Sequence, residues 1–123
     1  MTLQSGTVIS GICLLSEGWY NMKEIILSAD GYAKLYLVPD EVADNLQRYC
    51  LEFQTKWIWH DPNGAKLLKE SNGMKYASFT EKDFIEYLNE WIFPDEPSVL
   101  VKEFDCYPDE LPKEYREYPK FNF

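Results

Sequence analysis

Histidine, cysteine and paired carboxylates are the side chains most often used for chemistry, and this chain carries them without a catalytic pattern. Its 123 residues include one histidine, His60, and three cysteines, Cys13, Cys50 and Cys106. A zinc site needs clustered ligands at fixed spacing. No Cys-x-x-Cys occurs and His60 has no second histidine, so no metal site is expected. A cysteine nucleophile would need His60 as its base. Cys50 lies on the predicted helix that ends at His60, and at the usual rise per residue the two stand roughly 15 Å apart. Cys13 or Cys106 could reach His60 only through the tertiary fold. The six glycines are scattered, and none opens a helix after a strand as a phosphate-binding loop requires. The pairs Asp95-Glu96 and Asp109-Glu110 are flanked by prolines. They read as solvated loop residues, whereas acid–base carboxylates sit in clefts that perturb them. No catalytic residue and no cofactor is expected, and the chain reads as a non-enzyme.

A binding constellation remains. Trp57, Trp59, Trp91 and Phe93 fall near the ends of two predicted helices. Trp57 and Trp91 fit the apolar stripes of those helices; Trp59 and Phe93 fall off them. If exposed, Trp59 and Phe93 are contact residues beside the acidic run Glu81, Asp83, Glu86, Glu90, Asp95 and Glu96. If buried, they plug the ends of the core. Aromatic anchors rimmed by acids suit a basic protein partner.

Charge points the same way. The formal net charge is −9. Residues 79–97 set those six acids against Lys82 alone. Such a chain is repelled by phosphate backbones and by anionic membranes, so neither nucleic acid nor membrane is expected as a partner. An acidic surface also simply keeps a protein soluble. Aromatic residues make up 16% of the chain, more than one small core needs. The surplus either rims a wide core or forms contacts at the surface. Three separated cysteines do not make a disulfide framework. Met1 to Leu15 lacks a basic signal-peptide start, and its apolar part is too short to span a bilayer. The expected location is cytoplasmic.

The elements that must position these residues follow from periodicity. Residues 7–15 are apolar and β-branched and predict a buried strand, with a bulge at Gly11. Ser16-Glu17-Gly18 is a turn signal. Residues 23–28 and 32–38 flank Ala29-Asp30-Gly31 and predict a tight hairpin, whose left-handed turn positions Asp-Gly supplies. A helix over 39–59 opens on Pro39, Asp40 and Glu41. Its apolar stripe is Val42, Leu46, Tyr49, Cys50, Phe53, Trp57 and Ile58. His60 to Gly64 end it. Residues 65–70 suggest a helical turn, Asn72-Gly73 a turn, and 74–79 a short strand. Thr80 with Asp83 opens a second helix, with Phe84, Ile85, Leu88, Trp91 and Ile92 as its apolar face and Glu81 on its wet face. Pro94 and Pro97 stop it. Residues 98–104 fit strand or helix equally. The tail, 105–123, carries three prolines among five aromatic residues and is expected to dock on the body.

Two stretches carry a resemblance: YLVPDEVADNLQRYCLEFQTKWIWH (36–60) and YASFTEKDFIEYLNEWIFPDEPSVLV (76–101). They resemble small, uncharacterised bacterial proteins with a helix opening on Pro-Asp-Glu, a Trp-x-Trp at its end, and a later Asp-Phe-Ile-Glu-Tyr-Leu-Asn-x-Trp-Ile-Phe-Pro block. The resemblance covers less than half of the chain and implies no activity and no functional residues. In size and charge the chain is also similar to immunity proteins of bacterial toxin systems, small acidic cytoplasmic domains that cap a basic nuclease toxin.

The expectation is one α+β domain, 1–123, with three to five mostly antiparallel strands packed on one face by two helices. The expected role is a non-catalytic, acidic protein-binding module, an immunity or inhibitor protein for a basic, nuclease-like bacterial toxin. Its expected partner-binding residues are Trp59, Glu81, Asp83, Glu86, Glu90, Phe93, Asp95 and Glu96. The alternatives are a self-associating regulatory or structural subunit, and an enzyme with an unrecognised carboxylate or tyrosine site.

Overall fold

The apolar run near the N-terminus is folded back on itself. A computed structural model describes residues 8–9, 12–15 and 18–123, with side chains from Asn21 onward. In it β1 (Val8–Ile9) pairs antiparallel with β2 (Ile12–Leu15), Ile9 opposite Ile12. The run expected as one strand is thus two short strands that satisfy each other's backbone groups. The bulge expected at Gly11 and the turn at 16–17 lie outside the described residues.

The sheet is built around β3 (Gly18–Ser28), which pairs antiparallel with β2 along its first part and with β4 (Lys34–Pro39) along the rest. This is the predicted hairpin with a longer loop than expected. Asp30 takes the left-handed conformation, at φ 55°. The second strand begins only at Lys34 because Ala33 bonds elsewhere. Its N–H donates to the Cys106 carbonyl, and its own carbonyl accepts the Phe104 N–H, each at 2.9 Å.

The first long helical segment is less regular than its stripe suggests. Pro39 ends β4 and caps α1 (Asp40–Asp44). Asn45 leaves helical geometry, and α2 (Leu46–Glu52) resumes after it. A π-helical turn, Phe53–Trp57, leads into α3 (Ile58–His60). After a short 3-10 turn, Ala65–Leu67, the chain forms a separate hairpin of β5 (Leu68–Ser71) and β6 (Met74–Ala77). Asn72 and Gly73 fill its two-residue loop at φ 52° and 78°, the left-handed pair that such a turn requires. The second helix, α4 (Glu81–Tyr87), opens on the capping box predicted at Thr80 and Asp83. The Thr80 N–H donates to Asp83 at 2.9 Å, and Thr80 Oγ1 accepts the Lys82 N–H at 3.2 Å. It too ends in a π turn, Leu88–Ile92. Then β7 (Val99–Glu103) lies against β4, and β8 (Lys120–Asn122) runs parallel to the end of β3.

The result is α+β, with an antiparallel-dominated sheet of six strands in the order β1-β2-β3-β4-β7, and β8 beside β3. It holds more strands than expected because the N-terminal run and the tail each contribute short ones. Alternation along the strands divides the core. Ile25, Leu27, Tyr36 and Val38 face the helices and pack with Val42, Leu46, Cys50, Phe53, Ile58, Phe84 and Leu88. Ile26, Ala33 and Leu35 face the other way and are covered by Phe104, Leu111, Cys106, Tyr115 and Tyr118. The tail therefore covers the sheet face opposite the helices. Its last residue, Phe123, crosses to the helix side, with its ring 5.4 Å from that of Phe84 and 6.1 Å from that of Phe53.

Candidate functional site

A π turn holds one residue more than an α turn, so each residue after it lags the apolar stripe by one position. In the first helix the Ile58 N–H reaches back to the Phe53 carbonyl. Phe53 and Ile58 are both fully buried, while Trp57 is only half-buried. In the second the Phe93 N–H donates to the Leu88 carbonyl at 2.7 Å. Phe93 thereby takes the inward place that regular spacing gives to Ile92, and packs against the core. Trp91 is left 46% exposed and Ile92 36%. Of the two places left open for it, Phe93 takes the core end and so is not a surface contact, while Trp91, expected in the core stripe, is the surface ring.

The two π turns lie side by side. The Trp57 ring is 4.8 Å from Tyr87 and 6.5 Å from Trp91. Tyr87, absent from the predicted stripe, is 4% exposed and packs on Phe53 at 5.2 Å. Trp59 is exposed at the end of the first helix, and its indole N–H donates to the Gln54 carbonyl at 3.1 Å.

The acidic run separates into engaged and free residues. Glu81, expected on the wet face of its helix, is almost fully buried and pairs with Lys34 of β4. It cannot be a surface contact, because its charge is spent inside the fold. Asp83 caps the helix. Glu86 pairs with Lys66 at 3.0 Å, and the Lys66 ammonium is held above its ordinary pKa by that hydrogen bond. Glu90, Asp95 and Glu96 make no ion pair among the described residues. They share the segment that carries Trp91 and Ile92. Asn89 fixes where that segment goes next. Its side chain donates to the Ser98 carbonyl at 3.0 Å and accepts the Ser98 N–H at 2.6 Å, which sets the start of β7.

An open cleft of about 340 Å³ lies at the same helix ends, lined by Glu52, Lys56, Trp57, His60, Asp61, Pro62 and Tyr87. Cys50 stays inside the core, where burial pushes its thiol pKa up and leaves it a poor nucleophile. Among the described residues no three His, Cys, Asp or Glu side chains converge as metal ligands. No helix of the described residues is long and apolar enough to cross a membrane. Compared with models of protein families, with curated proteins and with solved structures, the chain matches none.

Proposed function

We propose that this protein is a non-catalytic binding module that grips a basic protein, in the manner of an immunity or inhibitor protein for a basic, nuclease-like bacterial toxin. The observation that carries this reading is the exposed pair Trp91 and Ile92 set among the free carboxylates of Glu90, Asp95 and Glu96. An apolar anchor ringed by unpaired charge supplies contact area and steering together. The test is affinity capture from a bacterial lysate at low and high salt, with the wild type and with Glu90→Lys/Asp95→Lys. A stoichiometric basic protein should be retained by the wild type at low salt, and lost both at high salt and with the double variant. Capture indifferent to salt and to both charges overturns the mechanism.

A second reading, a self-associating subunit, is favoured by β7. It is an edge strand, and Val99, Leu100 and Val101 are each nearly half exposed. Edges of this kind pair with other strands. Sedimentation equilibrium separates the two readings. Dimerisation that Val101→Lys abolishes supports self-association, whereas a monomer at high concentration rejects it.

A further inference from the structure

The cleft between the helix ends contains polar groups that the fold leaves unused. Tyr87 is 4% exposed and lines the cleft, and its hydroxyl makes no hydrogen bond among the described residues. Burial first, then the charge of Glu52, holds its pKa at about 12, so at neutral pH it keeps its proton and offers a lone pair. The Glu52 carboxylate, near enough for its charge to act on Tyr87, makes no ion pair or hydrogen bond among the described residues. Asp61 spends one oxygen on the Asn63 N–H at 2.8 Å and leaves the other free. The half-buried Trp57 lines the same cleft, its ring 4.8 Å from that of Tyr87 and inclined at 56° to it.

We propose that this cleft receives one guanidinium group, carried by an arginine side chain of the basic partner. The inference rests on the binding-module reading and names the chemistry by which the partner is held. A flat cation stacks on the indole, where the ring quadrupole attracts it. Its planar fork of N–H donors suits two carboxylates and a phenol oxygen better than a compact ammonium does. The volume suits a single long side chain and not a folded domain. Lys56 and His60 also line the cleft. Lys56 is exposed on a flexible stem that can turn outward. The two carboxylates, Glu52 and Asp61, outnumber the Lys56 ammonium.

The test needs no natural partner, so its failure is distinguishable from failure of the binding-module reading. The ¹⁵N-labelled protein is titrated with N-acetyl-arginine amide while the Trp57 indole resonance, assigned with Trp57→Phe, is followed. Saturable shifts are expected at that resonance. The isosteric N-acetyl-citrulline amide should bind at least about ten-fold more weakly, since it lacks the charge. Glu52→Gln and Tyr87→Phe should each weaken binding several-fold, and Glu70→Gln, in the separate hairpin, should not. Equal binding of the citrulline compound, or shifts caused by acetate or phosphate instead, overturns the proposal. Free arginine binding far better than the blocked form assigns the cleft to a small metabolite and overturns the partner's side chain as the source.

Discussion

Asn122 ties the C-terminal strand to the β3–β4 loop with one side chain. Its amide oxygen accepts from Ser28 Oγ and from the Asp30 N–H, both at 2.8 Å, and its amide nitrogen donates to Asp30 at 3.0 Å. These bonds hold Asp30 in its left-handed conformation. Three bonds at about 0.5–1.5 kcal/mol each bound the cost of Asn122→Ala at roughly 1.5–4.5 kcal/mol, and the exposure of two of them places it at the lower end; urea denaturation reads the loss. A larger effect is expected at Lys34, which pairs with the buried Glu81. Lys34→Met strands a charge in the interior and should cost about 3–5 kcal/mol. Adding Glu81→Met removes the stranded charge, so the double variant should recover most of the stability. A double variant no better than the single one contradicts this assignment. Neither arrangement is visible from local sequence. Glu81 reads as a wet helix residue, because its partner is supplied by a strand 47 positions away in the chain.

The helices show the limit of periodicity as a guide. Seven stripe positions of the first and three of the second fall inside or beside the core, as an amphipathic pattern requires. The pattern fails beyond Leu88, where the π turn rotates Trp91 and Ile92 outward and brings Phe93 in. No turn residue marks that change, so regular spacing misplaces all three. Gly64 shows how closely the first helix end is packed. It is buried, and a Cβ placed there would lie 2.4 Å from the Trp57 carbonyl oxygen and 2.8 Å from the Ile58 Cα. These are backbone atoms that cannot swing away. Gly64→Ala is expected to cost about 1–3 kcal/mol, as overpacking does, and to disturb the Trp57 environment. Near-ultraviolet circular dichroism with a denaturation curve measures both, and an unchanged spectrum with wild-type stability contradicts the close approach.

At the scale of the whole molecule, the helix-side layer of the core protects tyrosines from ionisation. Burial first, then the charges of Glu81 and Glu103, pushes Tyr36 to about 12, and Tyr87 is held at about 12 as well. The unfolded chain releases these protons near pH 10, the ordinary tyrosine value. Between about pH 10 and 12 the folded state therefore binds more protons than the unfolded one, and stability falls as pH rises. The contribution is fully present below pH 10 and lost on passing through the folded values. The urea midpoint should hold steady to about pH 9.5 and then decline, with a shallower decline in Tyr36→Phe; a midpoint flat to pH 12 rules this out. What the sequence determined by itself is what local forces decide. The Asn72-Gly73 turn, the Thr80–Asp83 cap, the apolar stripe of the first helix and that of the second as far as Leu88 depend on neighbours within a turn or two. Tertiary structure alone decided which face of the sheet 105–123 covers, the burial of Glu81 against Lys34, and the meeting of Glu52, Trp57, Asp61 and Tyr87 in one cleft. Those contacts join residues far apart in the chain, and their energies depend on burial that no local pattern records.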